Sequence, residues 1–319
     1  LGKLIVQRLM QFIPVVLLST VIVFTIIRLA PGDPVSMQFG TYASDARMTE
    51  AVAAYRKQLG LDQPIVIQYF YWLKEIAKGN FGNSIQNQIP VLTLIARKLP
   101  STLELMAGGL FFGIVLGIPL AIIAALKRGS FIDSFASILS VIGLAVPGFW
   151  FGMLLIWIFS LKFKLLPSSG FIPFSENPVQ NIKFLIMPAL TLGVYELAVV
   201  TRFLRAEIID VLRSDYVRTA RAKGVTEKKV ILRHVLKNSM IPLVTVIALE
   251  IGYLLGGVVV IEQVFSWSGM GWLIVQAIGN RDLPIIQAIV VLIAIGYSFA
   301  NLLADIIYGY LDPRIRENN

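Results

Sequence analysis

The chain has 319 residues, 56% hydrophobic and 15% charged, with a formal net charge of +9 and a mean hydropathy of +0.77. Soluble domains run at about 45–50% apolar and about 25% charged, so this composition excludes a disordered chain and argues against an ordinary soluble enzyme. Lipid is its natural solvent, and the net positive charge must lie where hydrocarbon does not.

A bilayer core needs about 20 apolar residues per helix. Six stretches supply them: 9–29, 100–126, 134–161, 183–201, 240–264 and 284–309. The first follows Lys3 and Arg8. It is longer than a secretory apolar region of about 7–15 residues and no A-x-A site follows it, so it reads as a retained span. Loop 30–98 is long enough to fold. It offers a helix from Thr49 to Leu59, with Thr49 as N-cap and Gly60 as stop. A second segment bearing Tyr and Trp runs from Pro64 to Lys78. Two readings stand for this loop: a small cap packed on the membrane surface, or a docking platform for an outside partner.

In the second span, Gly109, Gly113 and Gly117 recur every four residues, and Ala121 and Ala125 continue the series. Small residues on one face let helix backbones approach closely, within one chain or across a dimer; an internal contact is expected. The fourth span contains Pro188. A stripe of Leu204, Ile208, Val211 and Leu212 carries its helix past the membrane. The third span and those after it place Trp150, Trp157, Trp267 and Trp272 near their ends, where an interfacial belt is the ordinary explanation.

With the N-terminus inside, segments 1–8, 127–133, 202–239 and 310–319 hold 16 Lys and Arg. The short outer segments 162–183 and 265–283 hold 4. Long loops such as 30–98 translocate regardless of charge, so the positive-inside rule puts both termini in the cytoplasm.

Segment 202–239 carries ten Lys and Arg against Glu207, Asp210, Asp215 and Glu227, a net +6 of the total +9. A basic patch can bind nucleic acid or anionic lipid, or dock a protein. The local grammar favours the last. Ser214 or Asp215 can cap a short helix from Tyr216 to Lys223, Gly224 can end it in the left-handed region, and Thr226 can cap the next helix. Eight residues are too few for a helix to stand alone in water. With Arg218, Arg221 and Lys223 and little apolar face, this one needs something else to hold it, and insertion into a cleft on a soluble partner suits it.

Catalytic chemistry is scarce. There is no cysteine and one histidine, His234, too few for a zinc site, and that His has Arg233 and Lys237 nearby rather than a nucleophile. No P-loop occurs, and Gly269 and Gly271 form a G-x-G without the third Gly or a βαβ setting. No catalytic residue, no metal site and no cofactor are expected on this chain. Acids inside spans are functional candidates by default. Glu104, Glu262 and Asp305 lie near span ends, where interface water or an Arg would hold them. Glu196 and Glu250 lie deeper. Glu196 can pair with Arg202, and both acids can either bond between helices or draw a cationic group along a path.

Asp215-Tyr216-Val217-Arg218-Thr219-Ala220-Arg221-Ala222-Lys223-Gly224 resembles the EAA loop of ABC importer permeases, specifically the B-type subunit of the dipeptide/oligopeptide (peptide/nickel) class. Further matching stretches are Leu29-Ala30-Pro31-Gly32-Asp33-Pro34, Leu59-Gly60-Leu61-Asp62-Gln63-Pro64, Gly79-Asn80-Phe81-Gly82, Leu254-Leu255-Gly256-Gly257 through Glu262, and Leu311-Asp312-Pro313-Arg314-Ile315-Arg316. Against the general EAA pattern, Ala220, Gly224 and Leu236 match. Arg218, Thr219, His234 and Lys237 depart from it, as suits the peptide subclass.

The resemblance implies an all-α integral membrane protein of the type I ABC importer permease fold, with six transmembrane helices and both termini cytoplasmic. Residues 1–29 would form the N-terminus and first span, 30–98 an extracytoplasmic subdomain, and 99–319 the five-span core including loop 202–239. It implies a non-catalytic subunit of the cytoplasmic membrane in bacteria or archaea. Its partners would be a second, homologous permease (a heterodimer), two ATPase subunits that bind ATP and Mg, an extracellular substrate-binding protein and membrane lipid, with no nucleic acid. Asp215, Tyr216, Arg218, Thr219, Ala220, Arg221, Lys223 and Gly224 would couple to the ATPase. Ala220 and Gly224 would be close-packing points there, although Gly224 also reads as a plain helix stop. Glu196, Glu250 and Tyr253 would border the translocation path. The implied cargo is a dipeptide or oligopeptide. Nickel complexes, glutathione or oligosaccharides are alternatives in the same architecture, and a stand-alone channel or secondary carrier is the alternative from another class.

Overall fold

The computed structural model describes residues 2–29 and 62–311, with side chains at 10–26 and 62–307. The expected helix Thr49–Leu59 and the motif residues within 30–61 and 312–316 lie outside the described residues. All regular structure described is helical; a single isolated bridge joins Asn83 and Pro90. In chain order the helices are α1 (Gly2–Leu29), α2 (Ile65–Ala77), α3 (Val91–Leu126), α4 (Phe131–Ala145), α5 (Gly148–Leu155), α6 (Pro178–Leu212), α7 (Asp215–Ala222), α8 (Lys237–Val264), α9 (Met270–Gly279) and α10 (Leu283–Leu311). A π-helical stretch, Ile156–Lys162, continues α5. Another, Val230–Leu236, leads with the turn Glu227–Lys229 into α8.

Four of these helical stretches are long and apolar enough to cross a bilayer: Val91–Leu126, Pro178–Leu212, Glu227–Val264 and Leu283–Ile307. The stretch expected as one straight third span differs. It breaks between α4 and α5 with a bend of 106°, and the bent pair counts as a fifth crossing if taken together. The cause is Pro147. A proline forces its predecessor out of the helical region, and Val146 sits at φ −80°, ψ 125°. The apolar run continues through the break, so hydropathy does not reveal it.

The fold is organised around α6. Asn177 caps it by accepting the Gln180 N–H at 3.1 Å, and Pro178 occupies its first turn. At 35 residues it runs past the span 183–201, because its C-terminal part is amphipathic rather than apolar. Its most extensive packing is against α3. There the glycine stripe meets α6 directly: Gly109 faces Leu192, Gly113 faces Glu196 and Gly117 faces Val200. A methyl group on Gly109 would lie 2.6 Å from the Leu192 Cβ. The space beside each of these glycines is therefore filled by a neighbouring helix of the same chain.

Two cores flank this pair. One joins Leu105, Met187, Leu192, Val258, Phe265 and Trp267. The other, at the C-terminal ends of α3 and α6, joins Ala121, Val200, Leu204, Ile208, Val217, Val230 and Val235. Trp267 corrects the belt expectation: it is wholly buried, packs edge-on against Phe171 at 4.7 Å and donates its indole N–H to the Ser101 carbonyl at 2.8 Å. Trp150 and Trp157 remain exposed, as a belt requires.

Candidate functional site

Helix α7 stands between α6 and the π-helical lead into α8. Its start is simpler than expected. Ser214 occupies the N-cap position, but its hydroxyl turns back to the Val211 carbonyl at 2.6 Å and caps nothing in α7. Thr226 likewise makes no side-chain cap for the following turn. The end of the helix is built as the sequence suggests. Gly224 sits at φ +75°, its N–H reaches the Arg221 carbonyl at 2.9 Å, and the Val225 N–H reaches the Ala220 carbonyl at 3.3 Å. Those two bonds form the Schellman motif, which needs a residue in the left-handed region.

The short helix does not depend on a partner to hold it, which corrects the expectation from its charge. Val217 is wholly buried and Ala220 is 9% exposed. Both pack into the core of Leu204, Ile208, Val230 and Val235. Two apolar positions one helical step apart suffice, because the surrounding helices supply the rest of the pocket. Ala220 therefore faces its own chain rather than an outside cleft. Gly224 lies on the exposed side, and a methyl group added there would meet nothing within 4 Å.

The outer face of α7 is polar and cationic. Arg218 is 79% exposed and makes only a 3.7 Å contact with the equally open Asp215, a pair worth little in water. Arg221 is engaged instead: its Nε and Nη2 bond the Glu227 carboxylate at 3.1 and 2.6 Å, clamping the turn that contains Gly224. Thr219 donates its hydroxyl to the Asp215 carbonyl at 2.9 Å, and the Tyr216 hydroxyl accepts from Asn238 at 3.1 Å. Every member of the expected set except Ala220 is exposed, and Asp215, Thr219 and Arg221 are engaged in contacts within the helix and its following turn.

The expected path residues fall around α6 and α8. Tyr195 and Tyr253 stack with ring centroids 5.0 Å apart. Glu250 lies within electrostatic range of Glu196. Glu196 does not pair with Arg202: it is wholly buried, Arg202 is exposed, and among the described residues neither carboxylate oxygen of Glu196 has a hydrogen-bond partner.

Three acids that spacing alone does not connect tie the chain together. Asp133 accepts Arg205 Nε at 2.5 Å and Nη2 at 3.0 Å, joining the start of α4 to the C-terminal part of α6. Asp282, almost wholly buried, accepts the Ser84 hydroxyl at 2.5 Å and the backbone N–H groups of Ile85 and Gln86 at 3.1 and 3.4 Å. That fastens the loop between α2 and α3 to the turn before α10.

Glu262 is the third, and it corrects the expectation of interface water or an Arg. It is fully buried, accepting Thr102 Oγ1 at 2.7 Å and the Trp272 N–H at 2.8 Å. Thr102 in turn accepts the Met270 N–H at 2.8 Å. Glu262 thereby serves the open N–H groups at the start of α9. A Cβ at Gly269 would run into this carboxylate, and one at Gly271 would lie 2.5 Å from the Val259 Cα. Glu262→Ala is expected to leave these donors buried and unpaired, at about 1–3 kcal/mol per stranded group. A lowered melting midpoint in detergent, with an altered near-UV signal from Trp267 and Trp272, would register it.

A helical membrane subunit with a broken crossing, a central α6 and an exposed cationic helix at one end defines the class. The chain belongs to the binding-protein-dependent transport system inner membrane component family, which it matches over residues 117–317. Residues 1–106 match the N-terminal segment of the same kind of component. The chain is similar to a probable peptide ABC transporter permease of Sinorhizobium fredii, with 37% identity over 99% of this chain and 100% of that protein. It is also similar to the glutathione transport system permease GsiC of Escherichia coli K12, with 39% identity over 98% of each. Among solved structures, the MetNI methionine ABC transporter in an inward-facing form has a chain of like fold. The TM-score is 0.55 at 19% identity, covering 69% of this chain and 97% of that one. The protein is a non-catalytic, multi-pass inner-membrane subunit of an ABC importer of the peptide/nickel class, working with ATPase and substrate-binding partners.

Proposed function

We propose that this chain crosses the membrane six times with both termini in the cytoplasm, and that it forms half of a peptide translocation path beside a second, homologous permease. Residues 1–29, 30–98 and 99–319 are its first span, outer subdomain and core. Two ATPase subunits bind ATP and Mg, and no cofactor resides on this chain. ATP binding draws the ATPase pair together, α7 follows as a lever, and the path opens outward. The carrying observation is the construction of α7: its inner face is locked into the protein's own cytoplasmic core, while its outer face leaves Arg218, Lys223, Tyr216 and Gly224 open. A rigidly mounted helix transmits force; a loosely tethered one would not. Asp215, Thr219, Ala220 and Arg221 shape and brace that helix.

Glu250 and Tyr253 border the path, where an acid attracts a peptide ammonium, and the shielded Glu196 joins them as the helices part. Peptide cargo is supported by the likeness to the probable peptide permease of Sinorhizobium fredii. Glutathione, itself a short peptide, is the second reading, favoured by the likeness to GsiC.

Cells lacking this subunit, given di- and tripeptides, glutathione and nickel complexes, test the cargo. Loss of peptide uptake restored by the native chain is expected, and loss confined to nickel would overturn the assignment. Arg218→Glu is expected to abolish copurification of the ATPase without lowering the amount of this subunit in the membrane.

A further inference from the structure

Helix α2 is mounted in an unusual way for an extracytoplasmic element. None of its residues is buried. One side rests on α1: the Tyr69 hydroxyl meets Thr20 Oγ1 at 2.9 Å, and the Tyr69 and Trp72 rings lie 5.5 and 5.3 Å from that of Phe24. The other side is apolar and open. Val66 and Phe70, one turn apart, are 60% and 62% exposed, with Ile67 and Tyr71 beside them.

The depth of the mounting decides what covers that side. Thr20 and Phe24 precede the end of α1 at Leu29 by nine and five residues. At 1.5 Å per residue, the contacts sit about 13 and about 8 Å along the helix from its outer end. The Phe24 contacts fall at the depth at which an amphipathic helix lies at the boundary of headgroups and acyl chains, about 5–10 Å in, and the Thr20 contact lies a little deeper. The surface of α1 around those contacts is itself apolar and open at Val21, Ile22 and Ile26. The open side of α2 is therefore continuous with it. Polar groups stand at both ends of this element: Asp62, Gln63 and Gln68 bond one another before and in its first turn, and Lys78 pairs with Glu75 at 2.6 Å with Asn80 on the same carboxylate at 2.9 Å. The exposed Lys74, one turn after Phe70, has a stem long enough to reach water from an interfacial face.

We propose that α2 is an interfacial membrane helix whose Val66/Phe70 face contacts the acyl chains of the outer leaflet, bracing the outer loop against the bilayer. This rests on the reading of α1 as a membrane-crossing helix. The occupant is lipid rather than a partner protein because the face joins the lipid-side surface of α1 at a depth a soluble binding protein does not reach.

The chain has no cysteine, so single nitroxide labels can be placed cleanly. Val66→Cys, Phe70→Cys and Ile22→Cys would be labelled in the assembled transporter and reconstituted in phosphatidylethanolamine/phosphatidylglycerol vesicles. Collision with dissolved oxygen and with a water-soluble nickel chelate is then measured. At all three positions, oxygen collision should exceed nickel collision several-fold. Nickel access at 66 and 70 with a lipid-facing position 22 would overturn the proposal alone. Shielding of 66 and 70 from both quenchers would overturn it in favour of a protein occupant. Nickel access at 22 would overturn the crossing of α1, and this proposal with it.

Discussion

Gly224→Asp is expected to abolish uptake and substrate-stimulated ATP hydrolysis while the subunit still reaches the membrane in normal amounts. The fold tolerates the substitution. Gly224 holds φ +75° with open space around its missing side chain, so an added side chain meets no clash. A non-glycine residue in the left-handed region costs about 1–2 kcal/mol, and Asp is among the residues that tolerate it best. That cost is local, at the end of an eight-residue helix whose anchors, Val217 and Ala220, are untouched. It is too small to unfold the chain.

The exposed face of α7 is where the substitution acts. A carboxylate added beside Lys223 would alter the charge and the contour of the face proposed to couple to the ATPase. Rim charges set registry and approach across an interface. Gly224→Asn separates the two contributions, since it has nearly the same shape without the charge. Uptake kept by Asn and lost with Asp would assign the effect to charge, and loss with both would assign it to bulk. Immunoblots of membranes, uptake in cells and ATPase rates in vesicles complete the measurement. Normal uptake by Gly224→Asp would sink the coupling role of this face.

Much of this architecture is written in local patterns. Span positions follow from apolar length, and the end of α7 follows from a lone glycine after a cationic octamer. The features that escape local reading have a common physical cause. Pro147 bends its crossing through the backbone of Val146 while every flanking residue stays apolar, so no change in hydropathy marks the break. Trp267 lies close to a span end in sequence, but depth does not tell inward from outward. Its indole bond reaches back 166 residues to Ser101. The Glu262–Thr102 and Asp282–Ser84 bonds likewise bridge 160 and 198 residues. Nothing in local spacing encodes them. Gly269-x-Gly271 shows the intermediate case. The pair is visible as a motif, but its reason, space for the Glu262 carboxylate at Gly269 and for the Val259 backbone at Gly271, exists only after α8 and α9 have packed.

Gly113→Val is expected to give the largest loss of folded protein among single changes to the helix contacts. Gly113 lies where α3 crosses α6, and a Cβ there would collide with the Glu196 side chain and come within 3.1 Å of the Glu196 carbonyl carbon and the Leu197 nitrogen. The clashing Glu196 atom is its Cβ, which no rotamer moves, and the other two atoms belong to the backbone of the most buried of the described spans. Relief therefore requires α3 and α6 to separate, loosening Gly109 against Leu192 and Gly117 against Val200 along the same seam. Overpacking of this kind costs about 1–3 kcal/mol and sometimes more. The gain in helix propensity on replacing glycine is at most about 1 kcal/mol, so the clash wins. Gly256→Ala is the matched control, since a Cβ at Gly256 meets nothing within 4 Å. The melting midpoint of detergent-purified Gly113→Val should fall by roughly 5 °C or more, or the variant should fail to accumulate, while Gly256→Ala stays near the native value. If Gly113→Val instead folds normally and changes only the association of two permease subunits, the stripe belongs to a dimer seam and the α3–α6 contact is not its reason.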